Sequence, residues 1–530
     1  MRALTKILPI LAALACAALI DAAPAPPAPN TYIPPAQFCA LLGHPGTLCP
    51  VLPGNIGPDP ELFVHRFGYN GLVGANPTAF ANDVETPFDN LSWQTFVALN
   101  WKAGAQNRPA AEGLSGDGAR VWQSYDRVSS VFGQSHTQAN CHPLLGEQVF
   151  SIASNGDGSP ATRNEEYVQA ATGDPAIDVN GNWTLYERRV NGIEIAYLRA
   201  PSGHAEWNLT TLPGQSHFVA AGQTVNFPAL GAAPNGAIEI KAAWRILDPA
   251  RHAANAKTYY VIRALLAVAP DLVDRGPTGV VAPLCTRVEL GLVAMHIIQK
   301  NPVIVPPPGI KTVPLKPQWF WTTFEHVDNA PLAAAPCDVT DPAACKILNQ
   351  TACPVASLPP GANYAYYDPK AASLPTNIKI VLPTGANFHW NPVPPYAKAY
   401  LTKGAGSQIS RCWKIYGPTQ ALNAQWRKQL RAVGSVFANY MLIGTQWGAG
   451  LDGVNIGPKD AAPNFLSNSV LETYLQTFNQ PNGAGVGSCI SCHAGATLTA
   501  NVNVPANLSF LPSLVNPLLV RRKPTTPIPH

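Results

Sequence analysis

The sequence predicts an α+β fold with a β-rich middle, long loops and a helical C-terminal segment, and three observations carry that reading. Only 12% of the 530 residues are charged, about half the globular norm near 25%, which leaves few highly charged surface helices. Proline occurs 54 times, roughly twice its usual ~5% share; each proline fixes φ and removes a donor, so long stiff connections are favoured. Short β-prone runs concentrate between about residues 120 and 300, whereas helical periodicity is confined to a stretch after residue 88 and to the chain after 419. The length predicts two or three packed units.

In chain order, residues 1–22 read as a signal peptide. Arg2 and Lys6 give a positive start, Ile7 to Ile20 an apolar stretch, and cleavage is expected after Ala22. Cys16 offers an alternative lipid attachment point, although Ala13 stands where such signals usually carry Leu. Residues 23–87 are rich in Pro, Gly and Asn without periodicity and predict an extended arm, clipped if Cys39 joins Cys49. The body, 88–418, opens on a helix capped by Asp89 or Asn90 and running through Leu91, Trp93, Phe96, Val97, Leu99 and Trp101.

Strands are expected at Val149 to Ile152, Trp183 to Arg188, Ile193 to Leu198, Ala237 to Leu247 and Tyr259 to Val268. Residues 301–418 read as loop-dominated, broken by Pro306 to Pro308 and Pro392 to Pro395. In the C-terminal segment, 419–530, Thr419 would cap a helix with Leu422, Trp426, Leu430, Val433, Phe437, Tyr440 and Met441 on one face. A second helix is expected from Asn468, using Val470, Leu471, Tyr474, Leu475 and Phe478 before Pro481-Asn482-Gly483 ends it.

Charge and hydropathy exclude several classes of partner. The net charge is only +4 with no dense basic run, so neither nucleic acid nor an anionic membrane is expected as partner. No segment reaches 18 uninterrupted apolar residues, so the mature chain is expected to lack a transmembrane segment. P-loop, dinucleotide and nucleophile-elbow patterns are not found.

The chemistry concentrates at Cys489-Ile490-Ser491-Cys492-His493. Two thiols at this spacing add across the vinyl groups of a haem and the adjacent His supplies the proximal iron ligand. The motif therefore predicts one covalently bound haem c, its iron held by His493, on the helical C-terminal segment. A zinc site would want a second Cys or Cys/His pair, and a thioredoxin-like pair a βαβ context. A plain disulfide is the remaining alternative. Cysteine counting supports haem and export together. Of 11 Cys, setting aside Cys16 and the haem pair leaves eight, enough for four disulfide bonds in an oxidising periplasm. Their connectivity stays open; two of Cys337, Cys345 and Cys353 could form a local loop.

The 37 residues after His493 contain no Met and only the terminal His530, so a sixth iron ligand would have to come from upstream. His296 is the first candidate distal ligand, in the apolar run Gly291 to Ile298, followed by Met295, His326 and Met441. Met295 and His296 should point to opposite sides of any regular element, so at most one would reach the iron. Glu325 with His326 is a weaker acid/base pair, read in the first place as structural, and Glu165 with Glu166 reads as a solvated turn.

These residues resemble a family of large exported bacterial cytochrome c proteins with a single C-terminal haem motif and no assigned reaction. The similar blocks are Leu91 to Trp101, Arg120-Val-Trp122, Ile238 to Leu247, Met295-His296-Ile297, Phe320 to Pro331 and Leu471 to Gln476, ahead of Cys489 to His493. The resemblance implies haem and a periplasmic or secreted location, not a substrate. Three functions follow as expectations. The first is an electron-transferring cytochrome working with a periplasmic redox partner protein or small molecule. The second is a haem enzyme, peroxidase- or oxygenase-like, with an open distal site. The third is a haem-based sensor or binding module. A pure carrier needs far fewer residues, so the excess must shape a substrate site or a partner surface.

Overall fold

An 18-residue strand, Leu284–Asn301, organises the molecule, because its length lets different parts pair with different neighbours. The computed structural model describes residues 39–53 and 85–515, except 41–42, 44–45, 106–108, 112, 134–140, 154–166, 170–173, 230–235, 275–281, 302–317, 340–344, 346–352, 383–387, 449–460, 464 and 477–486. The signal peptide with Cys16, most of the 23–87 arm, Glu165, Glu166, Phe478 and His530 lie outside the described residues. The elements are α1 (Thr86–Leu99), β1 (Asp126–Arg127), α2 (Val128–Val131), β2 (Gln148–Ile152), β3 (Leu185–Val190), α3 (Gly192–Arg199), α4 (Leu212–Ala220), β4 (Ile238–Leu247), α5 (His252–Thr258), β5 (Val261–Val268), β6 (Leu284–Asn301), β7 (Gln318–His326), β8 (Leu332–Cys337), β9 (Arg411–Trp413), α6 (Gly417–Ala432), β10 (Tyr440–Gly448), β11 (Ala461–Ala462) and α7 (Cys489–His493).

The class is α+β. A nine-stranded sheet runs β1-β3-β4-β6-β7-β10-β11; β5 pairs with the first part of β6, and β2 lies parallel to β5. Side chains alternate across a strand, and the two faces of this sheet do different things. One face packs against α1 and α6: Met295, Ile297 and Phe324 join Trp93, Phe96, Leu422, Trp426 and Leu430 in the main core. Trp93 stacks on Trp426 and meets Phe324 edge-on. The opposite face carries Arg188, Glu239, Lys241, His296, Ile298 and Trp321, covered by the C-terminal segment.

Several expectations need correction. Ile193 to Leu198 is helix, not strand: Asn191 accepts from the Glu194 N–H as an N-cap, and the buried Glu194, Ile195 and Leu198 have helical spacing. The first helix begins at Thr86, with Pro87 in its first turn, ahead of Asp89. The later helix ends at Ala432, Gly434 takes φ +66°, and Tyr440 and Met441 begin strand β10, which pairs with β7. Tyr440 and Leu442 point into the core at strand spacing, which a reading at three- and four-residue intervals cannot separate from a helix. Among the described residues from Asn468 to Gln476, only a single turn of helix forms, at Thr473–Leu475. Asn468 Oδ1 accepts from the N–H groups of Val470 and Leu471, Glu325 takes that of Ser469, and Gln169 that of Thr473. Side chains thus claim donors that a helix would direct elsewhere. The stretch 301–418, expected to be loop-dominated, contains strands β7, β8 and β9.

Four disulfides join Cys39–Cys49, Cys141–Cys285, Cys337–Cys345 and Cys353–Cys412. Among the described residues no helix is long and apolar enough to cross a membrane.

Candidate functional site

The five-residue α7 is too short to persist alone, and neighbouring side chains hold it in place. Ser488 Oγ caps it by accepting from Ser491 N–H. Gln446, projecting from β10, accepts from Ile490 N–H at 2.9 Å and donates to Pro463 O at 2.6 Å. Ile490 is buried in the apolar cluster beneath. Cys489, Cys492 and His493, at spacings of three and four, therefore share the other side of the turn, and all three line one cavity of about 400 Å³.

The floor of that cavity is the second face of the sheet. Its polar groups cluster on one side: Lys241 and His296 are directly opposite one another in the β4–β6 register, and Arg188 is opposite Lys241 in β3–β4. His296 Nε2 lies 2.7 Å from Glu472 Oε1 of the covering segment. Burial alone would push the Glu472 carboxyl up, but His296 and Lys241 hold it below the usual range, so it is ionised. Since a carboxylate only accepts, Nε2 carries a hydrogen toward Glu472, and Nδ1 is the ring nitrogen that the neutral form leaves with a lone pair.

His493 shows the reverse tautomer. Its Nδ1 is 2.7 Å from the carbonyl oxygen of Leu508, which can only accept, so Nε2 has the lone pair. Burial pulls this imidazole down to about 4, against the Leu508 contact, so it is neutral at pH 7. Leu508 has φ +67° and Asn507 φ +52°, a left-handed pair without glycine that costs of order 1–3 kcal/mol per residue. Surrounding contacts hold it: Asn507 O accepts from Trp319 Nε1 at 2.7 Å, and Asn507 Oδ1 accepts from Lys300 Nζ. Trp321 meets the His493 ring edge-on at 5.7 Å and Phe510 lies at 5.0 Å.

A covalently bound haem needs two free thiols, an imidazole with one free lone pair, and an apolar chamber beside them. The residues fit. Cys489 and Cys492 are the free cysteines of the described chain, while the other eight are paired. Burial pushes the Cys492 thiol up to about 11 and Cys489 upward as well. That is opposite to the lowered values of redox-active Cys-X-X-Cys pairs. Among the described residues no group of three or more His, Cys, Asp and Glu is set to hold a bare metal ion.

Of the four distal candidates, His296 alone lines the cavity. Met295 is buried on the other face, near Asn100 Nδ2. His326 donates from Nε2 to Thr258 O and packs on Tyr259 and Tyr440. Met441 pairs with Glu325 in the sheet. Glu325 and His326 diverge, Glu325 pairing with Arg411 at 2.6 Å. Sequence reading missed Glu472, Lys241, Arg188 and Glu239. A signal exists for two of them: Glu239 and Lys241 recur at period two in a strand whose other charged residue is Arg245, which places charge on one face at its start. Comparison with protein-family models, characterised proteins and solved structures finds no match to this chain.

Proposed function

We propose that this protein is an exported, periplasmic or secreted, mono-haem c-type cytochrome that transfers electrons to or from a periplasmic redox partner. The observation that carries the reading is that Cys489, Cys492, His493 and His296 line one cavity. Cys489 and Cys492 would form the thioether bonds, and His493 would bind the iron through Nε2. His296 would be the distal ligand through Nδ1, its Nε2–H held by Glu472, a carboxylate–histidine arrangement that orients an imidazole toward a metal. The haem supplies a one-electron couple when bound. The chain's own residues exclude water, through Trp321, Leu511 and Phe510, and fix both imidazoles through Leu508 and Glu472.

A second reading, a haem enzyme with an open distal site, has its own observation in the same contact. His296 tied to Glu472 is also the form of an acid/base pair held beside an unliganded position. Absorption spectra with carbon monoxide distinguish the two. The first reading predicts a six-coordinate low-spin spectrum that excludes carbon monoxide and that His296→Ala opens, while Met295→Leu leaves it unchanged. A high-spin wild type that binds carbon monoxide promptly would transfer the assignment to the enzyme.

A further inference from the structure

One wall of the cavity continues into buried ionisable side chains that the attachment motif does not use. Glu239 faces the cavity from β4. Behind it lies Glu194, in the first turn of α3, with no exposed surface. Neither oxygen of Glu194, nor Oε1 of Glu239, receives a hydrogen bond from a described donor. The two carboxyl groups are close enough to interact, and such groups can share a hydrogen only if one is protonated.

Burial, then the Glu239 charge, pushes Glu194 well above the usual range, with Lys300 opposing. Burial also raises Glu239, against the Ser509 hydroxyl, Glu194 and Arg188. The N-terminus of α3 favours a charged Glu194, but a helix-end dipole is a fraction of the cost of burying a carboxylate. The pair therefore retains a proton.

Beyond Glu194 stands Lys300 of β6, itself 1% exposed. Its Nζ donates to Asn226 Oδ1 at 2.8 Å and to Asn507 Oδ1 at 2.5 Å. Burial pulls the ammonium down to about 7, with Glu194 opposing, so it gives up and regains a proton near neutrality. Asn226 is exposed. Lys300 thus ties the exposed Asn226 to the buried Asn507 and adds a positive charge close to Glu194. The groups facing the pair are Lys300 from β6, Arg188 from β3 and Ser509 from the C-terminal segment.

We infer that Glu194 and Glu239 form a proton-binding site that takes up one proton when the cofactor in the adjoining cavity accepts one electron. The inference rests on the haem reading above. The electron comes from a one-electron donor and adds one negative charge to the cavity. The carboxyl pair, already holding one proton, binds a second that is drawn from water. Reoxidation reverses each transfer, so the protein carries one electron and one proton together.

The test is the midpoint potential of the haem-loaded protein as a function of pH. Proton uptake favours reduction at low pH, so the potential falls as pH rises, approaching a tenfold change in the reduction equilibrium per pH unit, about 59 mV. Glu194→Gln, at a residue that does not line the cavity, should flatten that slope without removing haem, and Glu239→Gln should flatten it as well. A wild-type potential independent of pH, or a slope unchanged in both variants, overturns the coupling. If the variants do not fold, the redox-difference infrared spectrum of the wild type decides. A protonated-carboxyl band must appear on reduction and shift in heavy water, and its absence overturns the coupling. A chain that matures without covalent haem overturns the haem assignment instead, and the coupling with it.

Discussion

Individual hydrogen bonds decide which atom of each side chain meets the cavity. The Leu508 carbonyl sets the tautomer of His493, and Glu472 sets that of His296. The floor has its own electrostatic anchor on the reverse face, where Glu187 accepts from Arg189 Nε and Trp244 Nε1, both at 2.9 Å, and pairs with Arg127 at 3.2 Å. Burial would raise Glu187, but Arg189 and Arg127 outweigh it and hold the carboxyl below its ordinary value. Glu187→Gln leaves two arginines without their counter-charge and should cost about 3–5 kcal/mol in urea unfolding near neutral pH. A depressed carboxyl stabilises above its unfolded value and loses that contribution as pH falls, so the gap between variant and wild type should close below about pH 4.3. A gap that persists in acid would show a packing effect instead. Cys489, Cys492 and His493 are legible in the sequence because one helical turn encodes their grouping. The Glu472 to His296 contact spans 176 residues, and no local pattern announces a pair created by the fold.

Elements were legible where one period dominated and a cap agreed with it. Strands β2 to β5 stand close to their expected positions because their apolar runs are short and bounded. Helix α3 was misread because Ile193, Ile195 and Tyr197 alternate as a strand would, while the deciding signal was the cap at Asn191. The disulfides differ in what they restrain. Cys141–Cys285 closes 144 residues and Cys337–Cys345 only 8. Chain entropy assigns them about 5 and about 2.5 kcal/mol. Replacing Cys141 and Cys285 by Ala should therefore lower the urea midpoint more than the same change at Cys337 and Cys345. The opposite order would mean that native packing, not loop closure, sets their contribution.

For the whole molecule, one sheet serves two functions because its strands alternate. Its first face builds an aromatic core with α1 and α6, and its second gathers Arg188, Glu239, Lys241 and His296 at the cavity that α7 also lines. Strand β10 and helix α6, from the C-terminal part, belong to the same architecture as the middle of the chain. The class of fold could be read from composition and runs, but the chamber could not, since its walls come from strands far apart in sequence. The central claim, covalent haem at Cys489 and Cys492, is tested most directly by the intact mass of the denatured protein made with and without a c-type haem maturation system. The account predicts a mass increased by one haem only with that system, and no increase for Cys489→Ala with Cys492→Ala. An unmodified wild-type mass from the maturing host, or a haem adduct that survives in the double variant, would contradict it.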